Sequence, residues 1–165
     1  MAECLRLLAN SEHAASDCAD FVLAQVAFWL LAATDGHGKN FSLQHRVDGA
    51  YGMTPLYDVL SAWPIIGHGK NQLPLEKVKL AMALHGKRSH YRVNEMQAHH
   101  WRALAEQAAV PDLWERMKSF VESASATFDR LEGTLPPGFP ERVFATIRTG
   151  LRSQARRFAQ TLATK

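Results

Sequence analysis

LAATDGHGKNFSLQ, residues 31–44, decides how the rest of this 165-residue chain is read. Upstream of its glycines, SDCADFVLAQVAFWLLAA (residues 16–33) spreads Phe21, Ala24, Val26, Phe28, Leu30 and Leu31 around most of a helix circumference, with Ser16 or Asp17 as the cap. That pattern predicts a buried helix. It stops at Thr34-Asp35-Gly36-His37-Gly38, where two glycines and an aspartate break the periodicity. Downstream, the β-prone runs NFSLQHRV (40–47) and AYGMTPLY (50–57) flank Asp48-Gly49, the pairing expected of a hairpin turn.

Further out, the pentapeptide GHGKN occurs twice, at Gly36–Asn40 and at Gly67–Asn71. Only the first copy follows a carboxylate, because Ile66 stands where the first has Asp35. The second lies in SAWPIIGHGKNQLP (61–74) and reads as a glycine-rich surface loop. From Asn94 onward the signal is helical. Asn94 is placed to cap residues 95–109, and Pro111 opens a helix with Trp114, Met117, Val121, Phe128 and Leu131 mostly at three- and four-residue steps. GTLPPGFP (133–140) breaks it, and Pro140 opens a last helix carrying Val143, Ile147, Leu151, Phe158 and Leu162. The expected fold is mainly α, a helical bundle with one small β-hairpin.

Composition sets broad limits. An apolar content of 47% and a charged content of 21% suit one domain with a real core, and the net charge of +3 permits anionic partners without demanding them. Cys4 and Cys18 have no metal-ligand spacing and read as reduced thiols. The apolar run Phe21–Ala33 is too short to span a bilayer and contains Gln25, and the first residues lack the charge and cleavage pattern of a signal peptide. A soluble cytoplasmic protein, with no membrane association, is the expectation. His85, His90, His99 and His100 come without a Cys or carboxylate cluster, and adjacent histidines diverge around a helix, so they read as packed or solvated. Arg142, Arg148, Arg152, Arg156 and Arg157 read as a solvated face near a helix C-terminus, the other reading being an acidic or nucleic-acid partner. The four tryptophans are expected in the core or at element junctions.

The first pentapeptide carries a chemical spacing. Phosphoryl transfer to a hydroxyl needs a carboxylate that orients the hydroxyl and accepts its proton, and an amide oxygen and second carboxylate that hold Mg²⁺ on the phosphates. Protein kinases place the first two as D-x-x-x-x-N, the spacing of Asp35 and Asn40. Beyond the hairpin, Asp58 follows 18 positions after Asn40, where the second carboxylate is required. A phosphate loop of the G-x-x-x-x-G-K-[ST] type is excluded: Ala33 replaces its first glycine and Asn40 its hydroxyl residue.

A longer match surrounds these residues. LLAATDGHGKNFSL (30–43), YGMTPLYDVLSAWPIIG (51–67), VKLAMAL (78–84) and TLPPGFPERV (134–143) strongly resemble the C-terminal lobe of the HipA family of toxin serine/threonine kinases. The resemblance runs over nearly the whole chain and implies that residues 1–165 form such a kinase-like lobe. It implies a catalytic role for Asp35, Mg²⁺ ligation by Asn40 and Asp58, and nucleotide contact by His37, Gly38, Lys39 and Tyr57 together with those two ligands. ATP and Mg²⁺ are the implied cosubstrate and metal. The implied partners are a protein substrate, with aminoacyl-tRNA synthetases among the family's targets, and a DNA-binding antitoxin of HipB type through which alone DNA is reached.

Two departures from ordinary protein kinases are shared with that family. Tyr57-Asp58-Val59 stands where most kinases have Asp-Phe-Gly, and Ala33-Thr34 replaces the His-Arg before the catalytic aspartate. Neither removes a catalytic group. A glycine-rich loop, a strand lysine and its acidic partner are not found among the 34 residues before Asp35. A truncated product, a mis-started frame, an excised domain and a split kinase completed by a separate N-lobe chain all fit this. The rival functional reading is a non-catalytic lobe that retains a surface for an antitoxin or another partner.

Overall fold

Phe21, Val22, Val26, Phe28, Trp29 and Leu30 are almost free of solvent, and all six lie on one helix, α2 (Ala14–Leu31). Burying a side chain of this size contributes about 1.5–3 kcal/mol, so α2 is the axis of the core. The computed structural model describes residues 1–163. Around α2 pack α1 (Ala2–Leu8), α3 (Ala98–Ala108), α4 (Leu113–Leu131) and α5 (Glu141–Ala163). Trp29 marks the meeting point. Its ring centroid lies 5.6 Å from that of Trp101 on α3 and 6.3 Å from that of Phe158 on α5. Phe158 in turn lies 5.8 Å from Trp114 on α4.

The helix is longer than the apolar run within it, and by length and composition it could cross a membrane. This corrects the expectation drawn from Phe21–Ala33 alone, because the helix begins seven residues earlier. More than half of it is buried inside the fold, which is how a core helix passes the same test. It starts after His13, not at Ser16 or Asp17. Asp17 is instead a buried carboxylate whose Oδ2 accepts the Met53 N–H at 3.0 Å.

The hairpin signalled by Asp48-Gly49 is present. Strands β1 (Leu43–His45) and β2 (Tyr51–Met53) pair antiparallel with Leu43 opposite Met53, Gln44 opposite Gly52 and His45 opposite Tyr51. Gly49 sits at φ +87°, a conformation that side chains disfavour. Asp17 holds one end of the hairpin to α2, and the Tyr51 hydroxyl donates to Leu7 O at 2.7 Å at the other.

A second antiparallel hairpin, β3 (Lys79–His85) with β4 (Ser89–Arg92), adds to the single one expected. Lys79 and Ala81 face solvent while Leu80 and Leu84 are buried, the period-two alternation of a half-buried strand. This pairing also explains why α3 begins at Ala98, after Gln97, and not behind Asn94. Val93 N donates to Val78 O and Trp29 Nε1 donates to Val93 O, both at 3.0 Å. Those bonds keep Val93–Glu95 as a single tight turn continuing the hairpin. The last two helices begin at Leu113 and, directly behind Pro140, at Glu141.

Candidate active site

Helix ends leave their last carbonyls without intrahelical partners, and here a segment about thirty residues downstream supplies them. Trp63 Nε1 donates to Leu30 O at 2.9 Å, Ser61 Oγ to Leu31 O at 2.7 Å, and Ala62 N to Ala32 O at 3.2 Å. The limb that carries Asp58 is thereby fixed to the helix from which Asp35 emerges. Trp63 is held from its far side by α5, where Gly150 lies so close that an added Cβ would overlap the indole. The chain leaves α2 through Ala32, in the left-handed conformation at φ 48°.

Gly36 then packs directly on the Phe28 ring, and a Cβ at this position would overlap it. Phe41 closes the same aromatic cluster, 5.9 Å from Phe28 and 4.9 Å from Phe21. Between these two anchors, Gly38–Asn40 make a single tight turn. Asn40 is 3% exposed. Its Oδ1 accepts the His37 N–H at 3.2 Å, and its Nδ2 donates to Asp58 Oδ2 at 3.0 Å. One residue away, the Tyr57 hydroxyl donates to Lys39 O at 2.8 Å. Its single proton is then committed, so Ser42 Oγ, also at 2.8 Å, is the donor to the phenol oxygen. Asp58 itself is in the left-handed region at φ 57°, where Asp is better tolerated than most residues. Sparsely populated backbone of this kind gathers at functional sites.

Asn40, Asp58, Tyr57 and Lys39 therefore interlock across two limbs of the chain. Asp35 and His37 form a more exposed pair beside them, with Asp35 Oδ1 3.7 Å from His37 Nε2 and the Asp35 side chain 73% exposed. Among the described residues, Asp35 makes no hydrogen bond to Asn40 or Asp58. Gly38 is open, with Met82 Cε the one atom within contact of an added Cβ, at 3.8 Å. The exposed Lys39 ammonium pairs with no carboxylate among the described residues.

This donor set suits Mg²⁺. The ion takes oxygen ligands and is usually held by one or two carboxylates plus phosphate oxygens and waters. Among the described residues Asp58 Oδ1 makes no hydrogen bond or ion pair, and the Asn40 carbonyl oxygen keeps a second lone pair. No group of three or more His, Cys, Asp and Glu side chains is arranged for a metal among the described residues. Of the four histidines between positions 85 and 100, two are packed, and His85 and His99 are exposed. His90 and His100 are buried with ring centroids 4.0 Å apart, and the exposed His99 comes within 3.9 Å of His100 despite their divergent helix positions. Burial first, then His99, His90 and Arg88, lowers the His100 pKa to about 4. The ring is neutral at pH 7, and its Nδ1 accepts the Gln97 N–H at 3.2 Å.

The second pentapeptide stands apart. Gly67 and Gly69 wrap the Gln72 side chain, whose Oε1 accepts the Gly69 N–H at 2.8 Å. No hydrogen bond or ion pair links Gly67–Asn71 to Asp35, Asn40 or Asp58 among the described residues. The arginine run of α5 is partly neutralised, Arg152 by Asp129 at 2.6 Å and Arg148 by Glu132 at 3.0 Å. Reading the sequence missed Asp17, Ser42, Ser61 and Trp63 as residues that position the site. Each acts on a partner 15 to 36 positions distant, so no local pattern marks them.

A family model described as the HipA-like C-terminal domain matches residues 1–131. The protein Y4mE of Sinorhizobium fredii (strain NBRC 101917 / NGR234), provisionally named a kinase, is 31% identical over 134 residues, covering 78% of this chain and 29% of that protein. Among solved structures, HipA of Shewanella oneidensis MR-1, in a complex of toxin–antitoxin HipA, HipB and operator DNA, superposes with a TM-score of 0.78 at 19% identity. That match covers 98% of this chain and 36% of the solved chain. The chain thus spans about a third of the length of both proteins.

Proposed function

The chain belongs to the HipA-like C-terminal domain family, and on that premise we propose that it is the catalytic-lobe portion of an ATP-dependent serine/threonine protein kinase. The observation that carries this reading is the Asn40–Asp58 hydrogen bond, 3.0 Å long, which unites the two expected metal ligands beside the exposed Asp35. A nucleotide-binding lobe, in the same protein or a separate chain, completes the pocket.

In this reading Asp35 accepts a hydrogen bond from the Ser or Thr hydroxyl of the protein substrate and aims its oxygen at the γ-phosphorus. As the new O–P bond forms and the bond to the β–γ bridging oxygen breaks, Asp35 takes the hydroxyl proton and ADP departs. Asn40 and Asp58 would hold Mg²⁺, which supplies charge neutralisation on the phosphates. Lys39 adds a cation at the same edge, and Gly38 lets backbone approach a phosphate closely. His37 Nε2 lies 3.7 Å from the exposed Asp35 carboxylate, within reach of the same substrate edge. A HipB-type antitoxin as partner is supported by the assembly named for the Shewanella structure. An aminoacyl-tRNA synthetase as substrate and a cytoplasmic location belong to the same proposal and rest on the family resemblance alone.

The test joins the chain to a nucleotide-binding lobe and follows transfer of the terminal phosphate of labelled ATP to protein. Asp35→Asn should lower turnover by about 10²- to 10⁴-fold with Mg-ATP affinity unchanged. Asp58→Asn should lower both. Unchanged turnover in Asp35→Asn would reject catalysis and leave the second reading, a lobe that serves as an interaction surface. The exposed apolar side chains Leu56, Val59 and Leu60 next to Asp58 favour that alternative.

A further inference from the structure

Beside Thr54, Pro55 and Leu56, which lead to Asp58, a groove of about 530 Å³ opens between α2, the end of β2 and α4. Asp35, Asn40 and Asp58 take no part in its lining. Its floor is short because Ala24 and Ala27 contribute only methyl groups, and its walls are the half-exposed Leu56 and Phe120. Two carboxylates stand on its α2 side. Asp17 and Asp20 are three residues apart, which puts them on one helix face. Asp17 is 7% exposed and takes the Met53 N–H on one oxygen, while Asp20 is exposed. Neither pairs with a Lys, Arg or His among the described residues, although the chain as a whole carries a net charge of +3.

An apolar trough beside two un-neutralised carboxylates has a definite complement. A Lys or Arg lays its aliphatic stem on apolar surface while its head seeks an anion. A neighbouring large apolar side chain fills the space that two alanines leave, and a groove of this size holds a few side chains. An acidic ligand or an anionic lipid surface would be repelled by the same pair.

We propose that this groove docks a segment of a protein partner that presents a Lys or Arg next to a large apolar residue. The apolar side chain would lie between Leu56 and Phe120, and the cation would meet Asp20 with Asp17 behind it. This inference does not depend on phosphoryl transfer, so its test uses the whole chain without nucleotide.

A positional-scanning library of fluorescent octapeptides, read by polarisation, should select Lys or Arg adjacent to Leu, Ile, Met or Phe. The selected peptide should bind Asp20→Arg at least tenfold more weakly, and a version with Glu in place of its cation should regain that loss. Phe120→Ala should weaken binding at least tenfold while leaving the charge preference intact. Three results would overturn the proposal. One is a library with no positional preference, and another is selection unchanged in Asp20→Arg. The third is sedimentation showing a dimer that excludes the peptide and dissociates in Asp20→Arg, which would make a second copy the occupant.

Discussion

Gly36–Asn40 and Gly67–Asn71 have the same five residues and share almost nothing else. In the first copy Asn40 is buried and bonded to Asp58, Lys39 O is held by Tyr57, and Gly36 lies against a buried phenylalanine. In the second, Asn71 is exposed and the glycines fold around the exposed Gln72 of their own loop. One copy is specified by partners on other elements, the other by its immediate neighbour. Identical local sequence therefore yields one loop tied to other elements and one self-contained surface loop. What a glycine-rich motif can do is set by what packs against it.

The sharpest way to break this contrast is to add the same methyl to both loops. Gly36→Ala forces a Cβ into the Phe28 ring, which is buried against Phe41, and overpacking of this kind costs about 3 kcal/mol. Gly67→Ala meets only the end of a flexible, exposed Gln72 side chain, so the loss should stay under about 1 kcal/mol. Urea midpoints at constant m value would measure both. Equal losses would mean that the first loop is no better anchored than the second.

A smaller effect separates the asparagines. Asn40→Ala removes the donor to Asp58 and one of the two acceptors of the His37 N–H, which keeps Asp35 O at 2.8 Å, a loss of about 1.5 kcal/mol in the same denaturation experiment. Asn71→Ala should fall within about 0.5 kcal/mol of the parent, as is usual for exposed positions without partners. The smallest change sharpens the picture further. Tyr57→Phe removes one exposed bond to Lys39 O and one to Ser42, and should cost about 1 kcal/mol or less. A loss as large as that of Asn40→Ala would shift the main tie between the two limbs from Asn40 to Tyr57.

How much of this was legible in the sequence depended on how far each signal reached. The buried helix and the Asp48-Gly49 hairpin are local patterns, and both are present, the helix starting earlier than its expected caps. The joining of Asn40 to Asp58 also followed from reading the hairpin as a fold-back. The second hairpin was legible in principle, since Val78, Leu80, Met82 and Leu84 alternate with Lys79, Ala81 and Ala83 before Gly86. A register irregularity between Lys79 and Leu84 buries Ala83 as well and blurs that alternation. Asn94 looked like a helix cap because nothing nearby shows that Trp29 and Val78 already hold Val93. Helix α1 is seven residues long and owes its place to packing on α2, so propensity alone gives it little weight.

The bonds from Ser61, Ala62 and Trp63 to the end of α2 have a consequence for how this region can vary. They staple the two ends of an excursion that begins near Leu31 and returns by Ser61, and Asp35, Asn40 and Asp58 all lie within it. Its far tip, at Val47 and Gly49, stands out in solvent. For a closed loop of this kind, each doubling of length adds only about 0.6 kcal/mol of closure entropy. The tip can thus gain or lose residues at little expense while the chemistry at the base keeps its spacing, so length variation is expected to collect at the tip and stay away from the staples.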